Sequence, residues 1–294
     1  MAEADNRPIV VGVNYASPAD AAVAWAAAEA ARQGRPLELL HAYQATPPSY
    51  LLLKAVGKPA ADPAVTAAAL LSKMLRDVRA TAHGVPVSGS IEEGNPVEVL
   101  LNASRSAAMV VVGWHRRQQF GQLWMPSVGT TVAGRADCPV AFVSGELALA
   151  ANGPVVVGIE ESAAGESALE LAFLEAEVWQ CGLLAIRACS PADHRTEPGL
   201  RCAGEAAEWQ SLTQFVERWS AKYPDVEVES RLVVGAAADV LTSAGRTARM
   251  TVVGPRRDAP FRGPTLGGVG QRLLHCADGV LLVTHAGADQ PTTF

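Results

Sequence analysis

The chain has 294 residues, of which 49% are hydrophobic and 5% aromatic, and its formal net charge is −6 at pH 7. This length suits two domains, each long enough to bury a core of its own. The acidic balance, without any lysine- or arginine-rich run, argues against a nucleic-acid partner. No apolar stretch approaches the roughly 18 residues that a membrane-spanning helix requires.

Cysteine and histidine show no pattern that predicts a metal site. The five cysteines are scattered without a CxxC pair, which is typical of reduced thiols in a cytosolic protein. The six histidines have neither HxH nor HExxH spacing. The first residues lack the basic-then-apolar pattern of a signal peptide. We therefore expect a cytoplasmic protein without a metal.

In the first half of the chain, short apolar runs alternate with helical segments. Gly34 predicts the end of the first helix, Asn95-Pro96 predicts a helix start, and the proline-containing segment 44–60 predicts a loop. The pattern predicts strands at 9–13, 37–42, 85–91, 109–113 and 140–143. The third of these strands is expected nearer the sheet edge. Helices are predicted at 19–32, 61–82, 96–106 and 127–135.

The second half repeats this order. Strands are predicted at 155–159, 183–187, 226–233, 251–254 and 280–284, and helices at 165–180, 203–222, 237–246 and 266–276. A small, polar join lies between them at 144–153. We expect domains at 1–146 and 153–286, followed by a disordered tail at 287–294.

A gap-free internal repeat supports two copies of one domain. The segment MVVVGWHR at 109–116 recurs as MTVVGPRR at 250–257, which is 141 residues later. At the same offset Gly94 matches Gly235 and Arg105 matches Arg246. Each copy is far larger than a solenoid repeat. The chain therefore carries a pair of equivalent sites or an internal dimer.

Alternating strands and helices predict a parallel, doubly wound sheet in each copy. In such sheets ligands bind beyond the carboxyl ends of the strands, at the point where the strand order reverses. Two loops in each copy are therefore candidates. One follows the first strand, at 14–16 and 160–162, and the other follows the fourth strand, at 113–126 and 254–267.

Four features, in the same order in both copies, resemble the universal stress protein family. The first two features are the opening strands, VVGV at 10–13 and VVVGI at 155–159, and a long insertion after the second strand. The third is the segment EGNPVEVL at 93–100, and the fourth is a VVxG strand followed by a long loop, a helix and a last CPV or GV strand. The resemblance implies two tandem α/β domains of the Rossmann-like, adenine-nucleotide alpha-hydrolase-like fold.

The resemblance also implies a nucleotide site, because ATP-binding members carry G-x-x-G, nine residues, then G-[S/T]. Glycines there let backbone N–H groups approach the phosphates, and a helix N-terminus adds a favourable dipole. An acidic residue after the first strand holds the ribose. In the second copy Gly254, Gly267 and Glu160 fit this pattern, whereas Arg257 and Gly268 depart from it.

The first copy departs further from the motif. Gly113 and Ser127 fit, whereas Asn14, Arg116 and Pro126 replace the acid and two glycines. Pro126 removes a backbone donor from the rim, and Asn14 suits either a ribose hydroxyl or an Asx turn. We therefore expect the second copy to keep the site better.

Two interpretations of the arginines at the second glycine position stay open. Arg116 and Arg257 either pair with phosphate bidentately, or they fill the phosphate cradle as surface residues. Trp114 suits adenine stacking less well than packing.

The chemistry that the sequence favours is binding and regulation. No G-x-S-x-G, P-loop or Rossmann fingerprint is present, so we predict no enzyme and no catalytic residues, with slow ATP hydrolysis left open. The predicted ligand is ATP or a related adenine nucleotide, bound weakly and mainly in the second copy. The predicted site residues are Glu160, Val253, Gly254, Arg257, Gly267, Gly268 and Val269, and in the first copy Asn14, Gly113, Arg116, Ser127 and Val128.

The alternative is a nucleotide-free stress-response scaffold. Such a scaffold acts through surfaces between its own domains, in a homodimer, or with a protein partner. Neither hypothesis involves nucleic acid or a membrane.

Overall fold

The computed structural model describes residues 6–14, 18–46, 55, 61–114, 128–144, 152–189, 198–254, 266–276 and 279–284. The chain divides into two compact units. The described residues of the first unit end at Ser144, and those of the second begin at Asn152. The segment 287–294, predicted to be disordered, lies outside the described residues.

The first unit is a five-stranded parallel sheet with the order β3-β2-β1-β4-β5. The order reverses between β1 and β4. The elements in chain order are β1 (Ile9–Gly12), α1 (Pro18–Gln33), β2 (Leu37–Tyr43), α2 (Pro63–Thr81), β3 (Val87–Glu93), α3 (Pro96–Ser104), β4 (Met109–Trp114), α4 (Val128–Arg135) and β5 (Val140–Ser144).

The second unit has the same topology, with the parallel order β10-β9-β6-β7-β8. Its elements are β6 (Val155–Gly158), α5 (Ala163–Trp179), β7 (Leu183–Cys189), α6 (Pro198–Ser220), β8 (Val228–Val234), α7 (Ala237–Gly245), β9 (Met250–Val253), α8 (Gly268–Cys276) and β10 (Val280–Val283). The predicted doubly wound parallel sheet is confirmed in both units.

Most element bounds lie within two residues of the predicted ones, and two differences have a clear cause. Helix α6 begins at Pro198, five residues before the predicted start; proline suits the first turn, where its missing N–H would have no helical acceptor. Strand β3 begins at Val87, after Pro86. The carbonyl of Pro86 still accepts a bond from Leu37 N–H at 2.9 Å, but proline has no N–H to donate to the ladder.

Burial follows strand position in each sheet. The central strands β1 and β6 are apolar and almost wholly buried, as expected for parallel strands with helices on both faces. The edge strands β3 and β8 contain no buried residue, and the strand order confirms the predicted edge position of the third strand. The largest fully buried side chains include Trp25, Phe142, Phe173 and Leu212.

Within the described segments, no helix combines the length and the apolar content needed to cross a bilayer.

Candidate functional site

In the second unit, the ends of β6 and β9 meet the first turn of α5. The two strands are parallel neighbours, with Val157 opposite Val252. Gly254, the residue after β9, lies so close to α5 that an added Cβ would be 2.7 Å from the backbone oxygen of Ala164. The sequence resemblance assigns this glycine to phosphate approach, and the structure adds a second reason, which is packing.

The loop that carries Glu160 is held by three local contacts. Ser162 N–H donates to Glu160 O at 2.9 Å, and Ser162 Oγ caps α5 by accepting from Gly165 N–H at 3.1 Å. A Cβ on Gly165 would lie 1.7 Å from Glu160 O. The Glu160 backbone is thus packed tightly onto α5, while its side chain is exposed to solvent.

The predicted phosphate cradle lies at the start of α8. Gly268 is exposed and begins the helix, and Gln271 N–H already bonds Gly267 O at 2.9 Å. A Cβ on Gly268 would meet no atom of the described residues within 4 Å, so among these residues the space beside this turn is open. Free N–H groups in a first turn, together with the helix dipole, favour an anion.

The structure therefore places the predicted residues in two groups. Glu160, Val253 and Gly254 lie together where β6 and β9 end, whereas Gly267 directly precedes α8 and Gly268 and Val269 lie in its first turn. Arg257 lies outside the described residues.

The equivalent place in the first unit is built differently. The exposed Asn14 follows Val13, whose N–H bonds Leu40 O at 2.9 Å and whose carbonyl oxygen lies 2.7 Å from Nδ1 of the buried His41. This geometry needs the proton on Nδ1. Gly113 lies in β4 and the exposed Val128 begins α4. Arg116, Pro126 and Ser127 lie outside the described residues.

Trp114 supports the packing interpretation. Its ring meets Phe142 edge-on, with centroids 6.0 Å apart and an interplanar angle of 88°. This T-shaped contact is a favoured aromatic geometry.

Sequence reasoning missed a charged cluster beside Glu160. Arg187, two residues before the end of β7, has a side chain only 11% exposed, and it donates from Nη2 to Glu161 at 2.6 Å and from Nη1 to Glu208 at 3.0 Å. The hydroxyl of Ser211 on α6 also donates to Glu161. The bond from Ser211, followed by the bond and charge of Arg187, lowers the pKa of Glu161. We call these four residues the Arg187 cluster.

One signal could have revealed the cluster. Arg187 interrupts the apolar strand LLAIRAC, and a buried guanidinium must have partners. Its partners could not be inferred, because Glu161 and Glu208 are on other elements, 26 and 21 residues away.

An open groove of about 990 Å³ lies between the first turn of α5 and the second half of α6. Glu161, Ser162, Ser211 and Phe215 are among its lining residues. Arg218 on α6 pairs with Glu166 on α5 at 3.4 Å, and Lys222, two residues after α6, pairs with Glu170 on α5 at 3.0 Å. Charges of both signs therefore line the groove, and of these Arg218 and Glu166 pair with each other.

Among the residues that the structure describes, no group of three side chains could hold a metal ion.

Comparison with known proteins decides the family. The family model described as "Universal stress protein family" matches residues 5–144 and again residues 152–285. The chain belongs to the universal stress protein family. It is a tandem member with two family domains, as the resemblance predicted, and proteins of this family are generally non-enzymatic stress-response proteins.

Similar universal stress proteins cover nearly the whole chain. One from Mycobacterium tuberculosis is 30% identical over 276 residues, covering 92% of this chain and 94% of the relative. One from Mycolicibacterium smegmatis is 30% identical over 283 residues, covering 94% and 96%. A crystal structure of a universal stress protein from Archaeoglobus fulgidus has a TM-score of 0.69 at 14% identity, covering 96% and 99%; this last likeness concerns the fold alone.

Proposed function

We propose that this universal stress protein is a cytoplasmic stress-response regulator that binds ATP or a related adenine nucleotide weakly, mainly in its second domain. The observation that carries the proposal is the arrangement of the second domain. An acidic loop is packed tightly at the strand-order reversal, and an open helix N-terminus begins at Gly268. A site whose backbone is already ordered loses less entropy when a ligand binds.

Each proposed residue has a chemical role. The Glu160 carboxylate accepts hydrogen bonds from ribose hydroxyls. The N–H groups at Gly267, Gly268 and Val269 face the phosphates, with Arg257 supplying charge. Val253 and Gly254 form the floor where β9 ends.

The first domain is the weaker site in this proposal. Asn14, Gly113, Arg116, Ser127 and Val128 form its set, in which an amide replaces the carboxylate. An amide offers one acceptor oxygen where a carboxylate offers two.

The second candidate is a nucleotide-free scaffold that works through self-association, within the chain or as a homodimer. The observation that favours it is the loss of motif glycines at Arg116, Pro126 and Arg257. In both proposals the domains extend over 1–146 and 153–286.

Thermal unfolding with and without ATP separates the two candidates. One-site binding stabilises the native state by about 2.7 kcal/mol when free ligand is 100-fold above Kd. We expect ATP to raise the unfolding temperature of the wild type, Glu160→Ala to remove most of that rise, and Asn14→Ala to leave it nearly intact. No rise at millimolar ATP would favour the scaffold.

Gly268→Ala tests the phosphate cradle separately. The added methyl group meets open space in the protein, so the fold should tolerate it, and any loss of ATP binding comes from contact with the ligand. Unchanged ATP affinity in this variant would place the phosphates elsewhere.

A further inference from the structure

Arg187 and His41 occupy the same position in the two domains but make different contacts. Gly12 pairs with Leu40 in the first sheet and Gly158 pairs with Ile186 in the second, so the residues that follow, His41 and Arg187, are equivalent. His41 bonds the backbone oxygen at the end of the first strand. Arg187 instead reaches two carboxylates, one on the loop and one on α6.

The burial of Arg187 makes these carboxylate contacts necessary. A guanidinium removed from water costs several kcal/mol unless hydrogen-bonded anions replace the water. Glu161 and Glu208 supply those anions, and both remain about half exposed, at 48% and 52%. The cluster therefore connects loop 160–162 to both β7 and α6.

This tie acts on the residue next to Glu160. The Glu161 side chain is held by Arg187 and Ser211, while the Glu160 carbonyl is held by Ser162 N–H and packs against Gly165. The peptide between Glu160 and Glu161 is planar, so only φ and ψ of each residue can rotate. Because the side chain of Glu161 is held, this peptide has little freedom to move.

We propose that Arg187 is a positioning residue that sets the direction of Glu160 toward the ligand of the second domain. Arg187 does this through Glu161, without touching the ligand. The effect on ligand binding rests on the proposed nucleotide-binding function. The ordering of segment 160–165, which is the loop and the first residues of α5, can be measured without any nucleotide.

A purely structural role for Arg187 predicts a different behaviour. In that case the cluster would only hold neighbouring elements together, as the pair Lys222–Glu170 does at 3.0 Å between α5 and the residues just after α6. Lys222→Met is therefore a matched control, because it removes a cation that lies two residues after α6 and pairs with Glu170 on α5, away from the loop.

The first measurement is hydrogen–deuterium exchange without nucleotide, comparing Arg187→Met with Lys222→Met. Loss of a local constraint lowers the free energy of local opening. We expect about tenfold faster amide exchange in 160–165 for Arg187→Met and wild-type exchange there for Lys222→Met. Equal exchange in the two variants would overturn the positioning role.

The second measurement is ATP affinity by calorimetry below the unfolding temperature. Freeing one ordered loop side chain should weaken binding about threefold to tenfold in Arg187→Met, with Lys222→Met unchanged. If Arg187→Met loosens the loop but binds ATP as the wild type does, the link to the ligand is overturned. If the wild type itself binds no ATP, the proposed function fails. The hydrogen–deuterium exchange data then decide by themselves whether Arg187 orders the loop.

Glu161→Gln protects the test against misfolding of the arginine variant. The side chain at 161 is half exposed, so a neutral amide is tolerated, and it weakens the bond to Arg187 without opening a cavity. We expect loop exchange and ATP affinity to change in the same direction as in Arg187→Met, by a smaller factor. Wild-type loop exchange in Glu161→Gln would contradict the proposal.

Discussion

The two domains share a backbone plan but differ where their first loops are held. In the first, Val13 bonds Leu40 and accepts from His41. In the second, Ile159 N–H makes the equivalent backbone bond to Ile186 at 2.8 Å, but the side-chain contact is the Arg187 cluster. The two domains therefore share the backbone bond at this place, whereas the side-chain contacts around it differ.

A second difference concerns the helix after the third strand. Asn95 caps α3 by accepting from Val97 N–H at 2.9 Å, whereas Ala236 precedes α7 with no side-chain cap. The ion pairs of these helices also differ: Glu98 pairs with Arg135 at 3.3 Å, and Asp239 pairs with Arg272 at 3.0 Å. Equivalent packing is thus supported by different local contacts.

The largest expected effect comes from filling the tight contact in the second domain. Gly165→Ala places a methyl group where a Cβ would be 1.7 Å from Glu160 O. Backbone cannot yield as a flexible side chain does, so we expect this variant to destabilise the second domain by about 1–3 kcal/mol.

Denaturant unfolding measures this loss. Gly268→Ala is the control, since its Cβ meets no neighbour, and it should stay within about 0.5 kcal/mol of the wild type. Equal midpoints for the two variants would mean that the loop is looser than described.

The next effect comes from giving the second domain the residue of the first. Arg187→His removes two charge-assisted hydrogen bonds, each with a half-exposed carboxylate. Because water can solvate those carboxylates, we expect a loss of only about 1–2 kcal/mol.

A double-mutant cycle with Glu161→Ala tests the coupling. The cost of the double variant should be smaller than the sum of the single costs, since both remove the same contact. Strict additivity would show that the two side chains do not interact in solution.

A reciprocal exchange of helix caps should have an effect of about 1 kcal/mol or less. Asn95→Ala is expected to cost about 1 kcal/mol, and Ala236→Asn to stabilise by up to about that amount. The backbone at Ala236 already has the conformation of the capping residue Asn95, with φ −68° and ψ 127° at Ala236 and φ −72° and ψ 126° at Asn95. Chemical denaturation of both variants measures the exchange, and a destabilised Ala236→Asn would contradict the equivalence of the two caps.

The smallest effect concerns acid. Because Ser211 and Arg187 hold the pKa of Glu161 below its ordinary value of 4.5, the folded state favours the ionised carboxylate. The resulting stabilisation is present above pH 4.5 and is lost as the pH falls through the lowered pKa.

Unfolding midpoints from pH 6 downward measure this dependence. Glu161→Gln has no proton to gain at this position, so its stability should fall less steeply with acid than that of the wild type. If stability falls equally with pH in the wild type and in Glu161→Gln, Ser211 and Arg187 do not hold the Glu161 carboxylate in solution. In the first domain Tyr15 stands where the second domain has Glu161, so the sequence offers no carboxylate at that position.

Local patterns determined most of this architecture. Apolar runs marked the buried strands, Gly34 marked the end of α1 with its φ of 64°, and Asn95-Pro96 marked the start of α3. These features depend on neighbours within a few residues, which is the range that a sequence displays directly. The repeat and the family motifs then established two domains with one topology.

Only the tertiary structure decided how the candidate site is held. The partners of Arg187, the contact between Gly254 and Ala164, and the close approach of Gly165 to Glu160 arise where strand ends, a loop and helices meet. Except for Gly165 and Glu160, these contacts join residues far apart in the chain. The burial of Arg187 and the close approach at Gly254 follow from the packing of whole helices and strands. Sequence alone could place Glu160 in the loop after the first strand of the second domain, but the neighbours that order that loop are set by the fold.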